Sequence, residues 1–440
     1  MRLSRLAFAT LLLACGEIKS SSGRDGGDDG GQPDARAVGS ITVTVGHAFG
    51  PGQPLEGNQV VVVDTAGQLT ADTTTDADGV ATADGIEAGS TLLILFAQPP
   101  AGSSAGRQAI VVAGVEPGDD IHFAEENPPG TPIGSMNVTW PGYPDPVNIY
   151  ELNNGCGATD TNDTITNLLW DQECLASGEA QGLVRAVAAS GDTLGWLGGT
   201  IAFADTGTLD IAGPWKPPHP LSVTLSDIPA EAQAVFPGLV PARSHVSFHE
   251  VSLPQVALGD PTVSIDVAMP PAFADSDLVT LAFSPDQPGF GPNQLAVRVA
   301  ADAANLDLSL ADELLPWYGT PILDGASRTF SWTRTSGVEP DAQYALMFWK
   351  ERGSDDEWFT AVIAPPDVTA VTVPELPADY EQFMPIDPVE LGIQIQGAES
   401  SEIDGYRAAR QVGTSLVFND PVLGLDPPST LRRSTGGEDF

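Results

Sequence analysis

Two histidines four positions apart, His245 and His249, stand with Glu250 in the run Arg243–Leu253. On a strand both histidines point to one face and Glu250 to the other. Two imidazoles can start a metal site, but nothing in this run completes it. Leu253 stands where a zinc hydrolase needs the second histidine of His-Glu-x-x-His. The plainer reading is a pair of surface histidines. Gly102-Ser103-Ser104-Ala105-Gly106 has the letters of a nucleophile elbow, which requires a strand before it and a helix after it. Pro99-Pro100 precede it and the strand-like Arg107–Val112 follows, so it reads as a loop. Gly289-Phe290-Gly291 continues into Pro292 and forms no dinucleotide fingerprint. With 59 carboxylates, some pairs must lie close, so proximity nominates no glycosidase pair. No catalytic residue, metal or cofactor is assigned. A cryptic hydrolase is the third-ranked reading.

Cysteine supplies the remaining chemistry, at Cys15, Cys156 and Cys174. Arg2 and Arg5 open a short apolar run that ends in Leu13-Ala14-Cys15-Gly16. About ten apolar residues are too few to span a bilayer, which takes about twenty. A basic start, a short apolar stretch and small residues before a cut make a secretory signal over 1–14. The Leu-x-Ala-Cys ending resembles the lipobox of bacterial lipoproteins. That resemblance implies cleavage before Cys15, acylation of its thiol, and attachment to the membrane through lipid. Gly16 after the cysteine favours the outer membrane by the same resemblance, with the domains facing the periplasm or the exterior. Residues 15–37 then form a lipidated tether, because Asp25-Gly26-Gly27-Asp28-Asp29-Gly30-Gly31 and its neighbours hold too little apolar surface to order themselves.

Export leaves Cys156 and Cys174 as an even pair in an oxidising compartment, where a disulfide is the expected state. It would close a polar loop from Gly157 to Glu173 that projects from its domain, contributing about 3 kcal/mol on the chain-entropy account. A net charge of −41 with only Lys19, Lys216 and Lys350 among the lysines leaves no basic patch for phosphates. Nucleic acid is thereby excluded as a partner.

The rest of the chain reads as all-β: tandem β-sandwiches of Ig-like or transthyretin-like type on a flexible N-terminal tether. Glycine (47) and proline (38) are plentiful while charged residues are only 18%, which suits short strands and tight turns. In 38–125, Ile41–Val45 alternates, Gln59–Val63 and Thr91–Phe96 are apolar runs, and Asp76-x-Asp78-Gly79 reads as a turn. With Gly39, Pro54-Leu55-x-Gly57 and Ala88-Gly89, this order resembles the carboxypeptidase regulatory-like domain, a transthyretin-like sandwich. That resemblance implies an accessory module without catalytic residues. A Pro/Gly-rich break at 125–132 precedes a disulfide-containing sandwich over 133–260. A β-rich region over 261–430 follows, with a short helix expected near Asp302–Leu315. Its part at 326–412, from Arg328–Thr333 through Tyr344–Trp349 and Trp358–Ile363 to a closing Tyr406-Arg407, is similar to a fibronectin-III sandwich. Val223–Glu231 echoes Val371–Asp379 in residue type at nearly every place, which leaves duplication and chance both open.

Tryptophans offer a ligand route. Trp170, Trp196, Trp215, Trp317 and Trp358 lie near Gly, Pro or acidic residues, where an exposed indole can stack on a sugar. Trp215 and Trp358 are the candidate glycan-stacking residues. Trp332 and Trp349 belong to core patterns. The leading function is a non-enzymatic, membrane-anchored surface lipoprotein acting in adhesion, envelope structure or partner presentation. The alternative is a glycan-binding lipoprotein, and the partners foreseen are the membrane, a glycan or a surface protein.

Overall fold

The computed structural model describes most residues from 38 to 437. The stretches 48–53, 97–106, 126–132, 352–356, 384–387 and 413–428, and a few shorter ones, fall outside that description. So do residues 1–37, and with them Cys15 and the tether. The Gly102–Gly106 segment, His245 and His249 also lie outside the described residues.

The described chain is almost wholly β, arranged as four sandwiches. Sandwich I contains β1 (Val38–His47), β2 (Gln59–Val63), β3 (Leu69–Thr74), β4 (Val80–Glu87), β5 (Ser90–Phe96), β6 (Arg107–Val115) and β7 (Asp120–Glu125). Its sheets have the orders β4-β1-β7 and β3-β2-β5-β6. β1 pairs antiparallel with β4 and parallel with β7. The Asp76–Gly79 turn forms as expected. Asp76 Oδ1 accepts from the Asp78 and Val80 amides at 2.9 Å. Gly79 sits at φ +72° with Val45 O only 2.4 Å from where a Cβ would stand, so only glycine fits.

Sandwich II repeats this plan with β8 (Gly134–Thr139), β9 (Ile149–Asn153), β10 (Ala158–Thr161), β11 (Ile165–Trp170), β12 (Glu179–Val187), β13 (Thr193–Ala202) and β14 (Thr208–Asp210). Its orders are β11-β8-β14 and β10-β9-β12-β13. The disulfide segment is therefore not a projecting loop. It supplies β10 to one sheet and β11 to the other, each antiparallel to its neighbour.

Sandwich III uses β15 (His219–Ser226), β16 (Ala232–Arg243), the two-residue strands β17 (Val246–Ser247), β18 (Val251–Ser252) and β19 (Val256–Ala257), then β20 (Thr262–Met269), β21 (Ser276–Pro285), β22 (Asn293–Ala300) and β23 (Asn305–Ser309). Again the first strand is central, in the order β20-β15-β23, antiparallel to one neighbour and parallel to the other. The boundary expected at 260/261 falls inside this sandwich. β15 and β16 precede it, yet they pair with β20 and β21 beyond it. Most of the expected helix is strand: Asn305–Ser309 is β23, and only α1 (Leu310–Glu313) is helical.

Sandwich IV differs. β24 (Ile322–Asp324), β25 (Thr329–Ser331) and β28 (Ala370–Thr372) form one antiparallel sheet. β26 (Ala342–Glu351), β27 (Glu357–Ala364), β29 (Pro388–Ser400) and β30 (Thr430–Gly437) form the other, in the order β30-β29-β26-β27. Tyr406-Arg407 closes no strand but belongs to the helix α2 (Gly405–Gln411). The echoing segments occupy unlike places, since Val223 lies on the central β15 and Val371 on the edge strand β28. The repeated plan is instead that of sandwiches I, II and III.

Sandwich IV joins I and III into one sheet. β27 pairs parallel with β6 from Trp358↔Arg107 to Ile363↔Val112, and β30 pairs antiparallel with both β29 and β22. The resulting path runs β17-β16-β21-β22-β30-β29-β26-β27-β6-β5-β2-β3. This explains the unbroken apolar runs in sandwich I. Val60 and Val62 face the β1–β4–β7 layer, while Val61 and Val63 face Phe330, Trp332 and Val371 of sandwich IV. Covered on both faces, β2 has no need of alternation.

Helix α2 fastens the joint. Arg410, 3% exposed, places Nη2 2.7 Å from Asp119 Oδ2, and Asp119 is itself 1% exposed. Arg410 also donates to Gly114 O. The Tyr406 hydroxyl lies 2.6 Å from Ala113 O and 3.1 Å from Ile363 O, and burial pushes its phenol above the usual range. Tyr380 donates to Asp72 on β3. Between III and IV, Arg432 of β30 reaches Glu313 of α1 and Glu399 of β29.

Candidate functional site

The two cysteines form the expected bridge, with Cα atoms 5.3 Å apart. Cys156 follows β9 and Cys174 follows β11, so the bond ties the two sheets of sandwich II together. Asn154 shapes the approach. Its Oδ1 accepts from the Cys156 and Gly157 amides at 3.1 and 3.0 Å, and its Nδ2 donates to Leu169 O at 2.7 Å. Asp171 stands within 4.8 Å of both sulfurs, and burial raises its carboxyl pKa. Sulfurs bonded to each other are not thiolate ligands, so the trio is no metal centre as it stands. Replacing both cysteines by serine is expected to cost about 2–4 kcal/mol. Urea unfolding followed through the sandwich II tryptophans should show a lowered midpoint, and an unchanged midpoint would contradict it.

The two candidate stacking tryptophans part company. Trp215 is half-buried and lies over Tyr150 at 5.8 Å and 23°, with the edge of Tyr143 at 5.3 Å. Its Nε1 donates to Pro141 O at 3.0 Å, which fixes the ring at the end of the sandwich II core. Trp358 offers no such face. It is 4% exposed, its Nε1 donates to Gln382 O at 3.0 Å, and the Arg107 guanidinium lies 5.6 Å from its ring centre. Its proximity in sequence to acidic residues concealed the fact that β27 lies inside the joined sheet. Trp170, Trp196 and Trp317 are likewise buried, at 0%, 3% and 2%.

A cleft of about 530 Å³ opens between sandwiches II and III. Its floor is the outer face of the β10-β9-β12-β13 sheet, and its far wall is Pro241 and the segment Glu250–Ser252. Four side chains form one cross-strand row on that floor. Asp160 stands opposite Glu151, Glu151 opposite Arg185, and Arg185 opposite Trp196. The Arg185 side chain is only 6% exposed, and its Nε lies 3.3 Å from Glu151 Oε2. Burial lowers the Arg185 pKa, and Glu151 and Asp160 oppose that effect. Neither Nε nor Nη1 of Arg185, nor Nε1 of Trp196, has a hydrogen-bond partner in the protein. The row was not identified from the sequence, though a lone arginine within Gly182-Leu183-Val184-Arg185-Ala186-Val187 is a readable signal.

No protein-family model matches the chain, and no curated protein does. Among solved structures, the Bacillus anthracis TIE protein is 11% identical at a TM-score of 0.16, covering 62% of this chain and 50% of that one. A streptococcal ancillary pilin is 9% identical at 0.16, covering 62% and 98%. A DUF3823 family protein from Bacteroides ovatus is 8% identical at 0.15, covering 60% and 100%. This chain thus spans half the length of the first of these. Scores at this level carry no argument about topology or activity.

Proposed function

We propose that this chain is a non-enzymatic, lipid-anchored envelope protein whose sandwiches form a stiff platform for adhesion, envelope structure or partner presentation. The observation that carries this reading is the single sheet through sandwiches I, IV and III. Domains joined by linkers move by default, whereas domains joined by shared ladders and buried ion pairs hold a fixed geometry. A protein that must keep a surface at a set attitude to a membrane gains from such joints. The net charge of −41 keeps copies of it apart. No helix among the described residues is long and apolar enough to cross a membrane, so attachment in this reading rests on Cys15.

Cys15→Ala is expected to move the protein from the membrane fraction to the soluble one, or to leave an uncleaved precursor. Normal processing with undiminished membrane retention would overturn the anchor. Fractionation of the wild type to the inner membrane would overturn the outer-membrane assignment drawn from Gly16.

Glycan binding is the second reading, and one observation favours it. Trp215 holds a half-exposed indole rigidly against two tyrosines, an arrangement suited to stacking on a sugar ring.

A further inference from the structure

The geometry of the cleft between sandwiches II and III points to a second binding site, one for a neutral saccharide. It lies on the outer face of the β10-β9-β12-β13 sheet, whereas Trp215 packs on Tyr150, which belongs to the core inside that sandwich. The two sites are therefore independent, and the cleft proposal stands or falls without Trp215.

The floor row makes a double demand. Arg185 Nη1 and Trp196 Nε1 are buried donors without acceptors in the protein. Leaving such groups unpaired is costly, and a ligand oxygen would relieve it once either side chain turns toward the cleft that it lines. Asp160 and Glu151, directly opposite each other, are like charges that repel across a strand pair. Glu250 lines the facing wall. These carboxylates accept hydrogen bonds and offer none. Glu151 already faces Arg185 and Glu250 accepts from the Thr280 hydroxyl, so a ligand must present acceptors to the floor and donors chiefly to Asp160 at the rim. A sugar hydroxyl does both, since it carries one donor and two acceptor lone pairs.

Charge decides among the alternatives. Three carboxylates against one guanidinium leave the cleft negative, within a chain of net charge −41. An anion is therefore repelled on approach. A simple cation satisfies the rim and leaves Arg185 Nη1 and Trp196 Nε1 without acceptors. A neutral saccharide meets both demands and carries no formal charge to desolvate. The volume of about 530 Å³ is within the usual range for small-ligand pockets.

The test uses the full chain in detergent, titrated with neutral mono- and disaccharides and followed by saturation-transfer NMR and calorimetry. Binding of a neutral sugar should weaken at least tenfold in Arg185→Gln and several-fold in Asp160→Asn. Asp160 is exposed on an edge strand, so its variant keeps the fold if Arg185→Gln does not. Trp215→Ala should leave this binding unchanged. If Trp215→Ala abolishes all sugar binding while Asp160→Asn and a folded Arg185→Gln bind normally, the cleft proposal is wrong and the stacking reading stands. Preference for a uronic acid, an amino acid or a polyamine over every neutral sugar overturns the ligand class. Absence of any saccharide binding at millimolar concentration overturns the site.

Discussion

Arg410→Ala is expected to lower the unfolding free energy by about 3–5 kcal/mol, the usual cost of removing one partner from a buried ion pair. Asp119 would remain at 1% exposure, keeping the Glu116 amide at 2.8 Å and the half-exposed Arg407, whose Nε lies 3.3 Å away. Gly114 O would lose its donor as well. The loss falls on the joint between sandwiches I and IV, because α2 follows β29 while Asp119 and Gly114 belong to sandwich I. Urea denaturation gives the magnitude, and protease cleavage within 107–125 should accelerate. The double variant Arg410→Ala with Asp119→Asn should cost less than the sum of the singles, since it leaves no unpaired charge. Strict additivity would show that the pair is not coupled.

Asp277→Asn should stabilise the protein at pH 8 and change little at pH 4. Asp277 is fully buried on β21, neither carboxylate oxygen has a hydrogen-bond partner in the protein, and desolvation pushes its pKa up to about 7. The folded state therefore holds a proton that the unfolded chain releases near pH 4. Between those values the native form binds more protons, so stability falls as pH rises and levels off above about pH 7. A shift of this size corresponds to roughly 4 kcal/mol at 1.36 kcal/mol per unit. Other carboxylates titrate over the same window, so the informative quantity is the difference between wild type and variant. That difference should open between pH 4 and 7. A difference independent of pH would mean that Asp277 is ionised throughout.

Local pattern carried the strands well. Ile41–Val45 alternates because β1 has one face on the core, with Ile41, Val43 and Val45 buried and Thr42 and Thr44 half-buried. The Asp76–Gly79 turn and the Cys156–Cys174 bridge were legible because short-range chemistry determines the first and cysteine parity the second. What escaped was pairing over long separations. Nothing local in Trp358–Ile363 states that its neighbour is Arg107–Val112, some 250 residues away. The burial of Trp358 and the misplaced boundary at 260/261 both follow from that blindness. The helix at Tyr406 was missed because seven residues give too short a period to distinguish from a strand. In the cleft, Arg185 was visible as an oddity, but Glu151 and Asp160 become its neighbours only when three strands align.

The place of β30 has a consequence for the order of assembly. Residues 430–437 are the last strand described, yet they lie between β29 and β22, in the interior of the sheet. Chains fold broadly in the order they emerge, so sandwich III and most of IV form while this slot is empty. Until β30 arrives, β22 and β29 each present an open edge, the form of backbone most prone to pair with another chain. Insertion of β30 should therefore be slow and sensitive to crowding. A holding chaperone would have those two edges to protect, and a truncation before residue 430 should yield aggregates rather than a shorter folded protein.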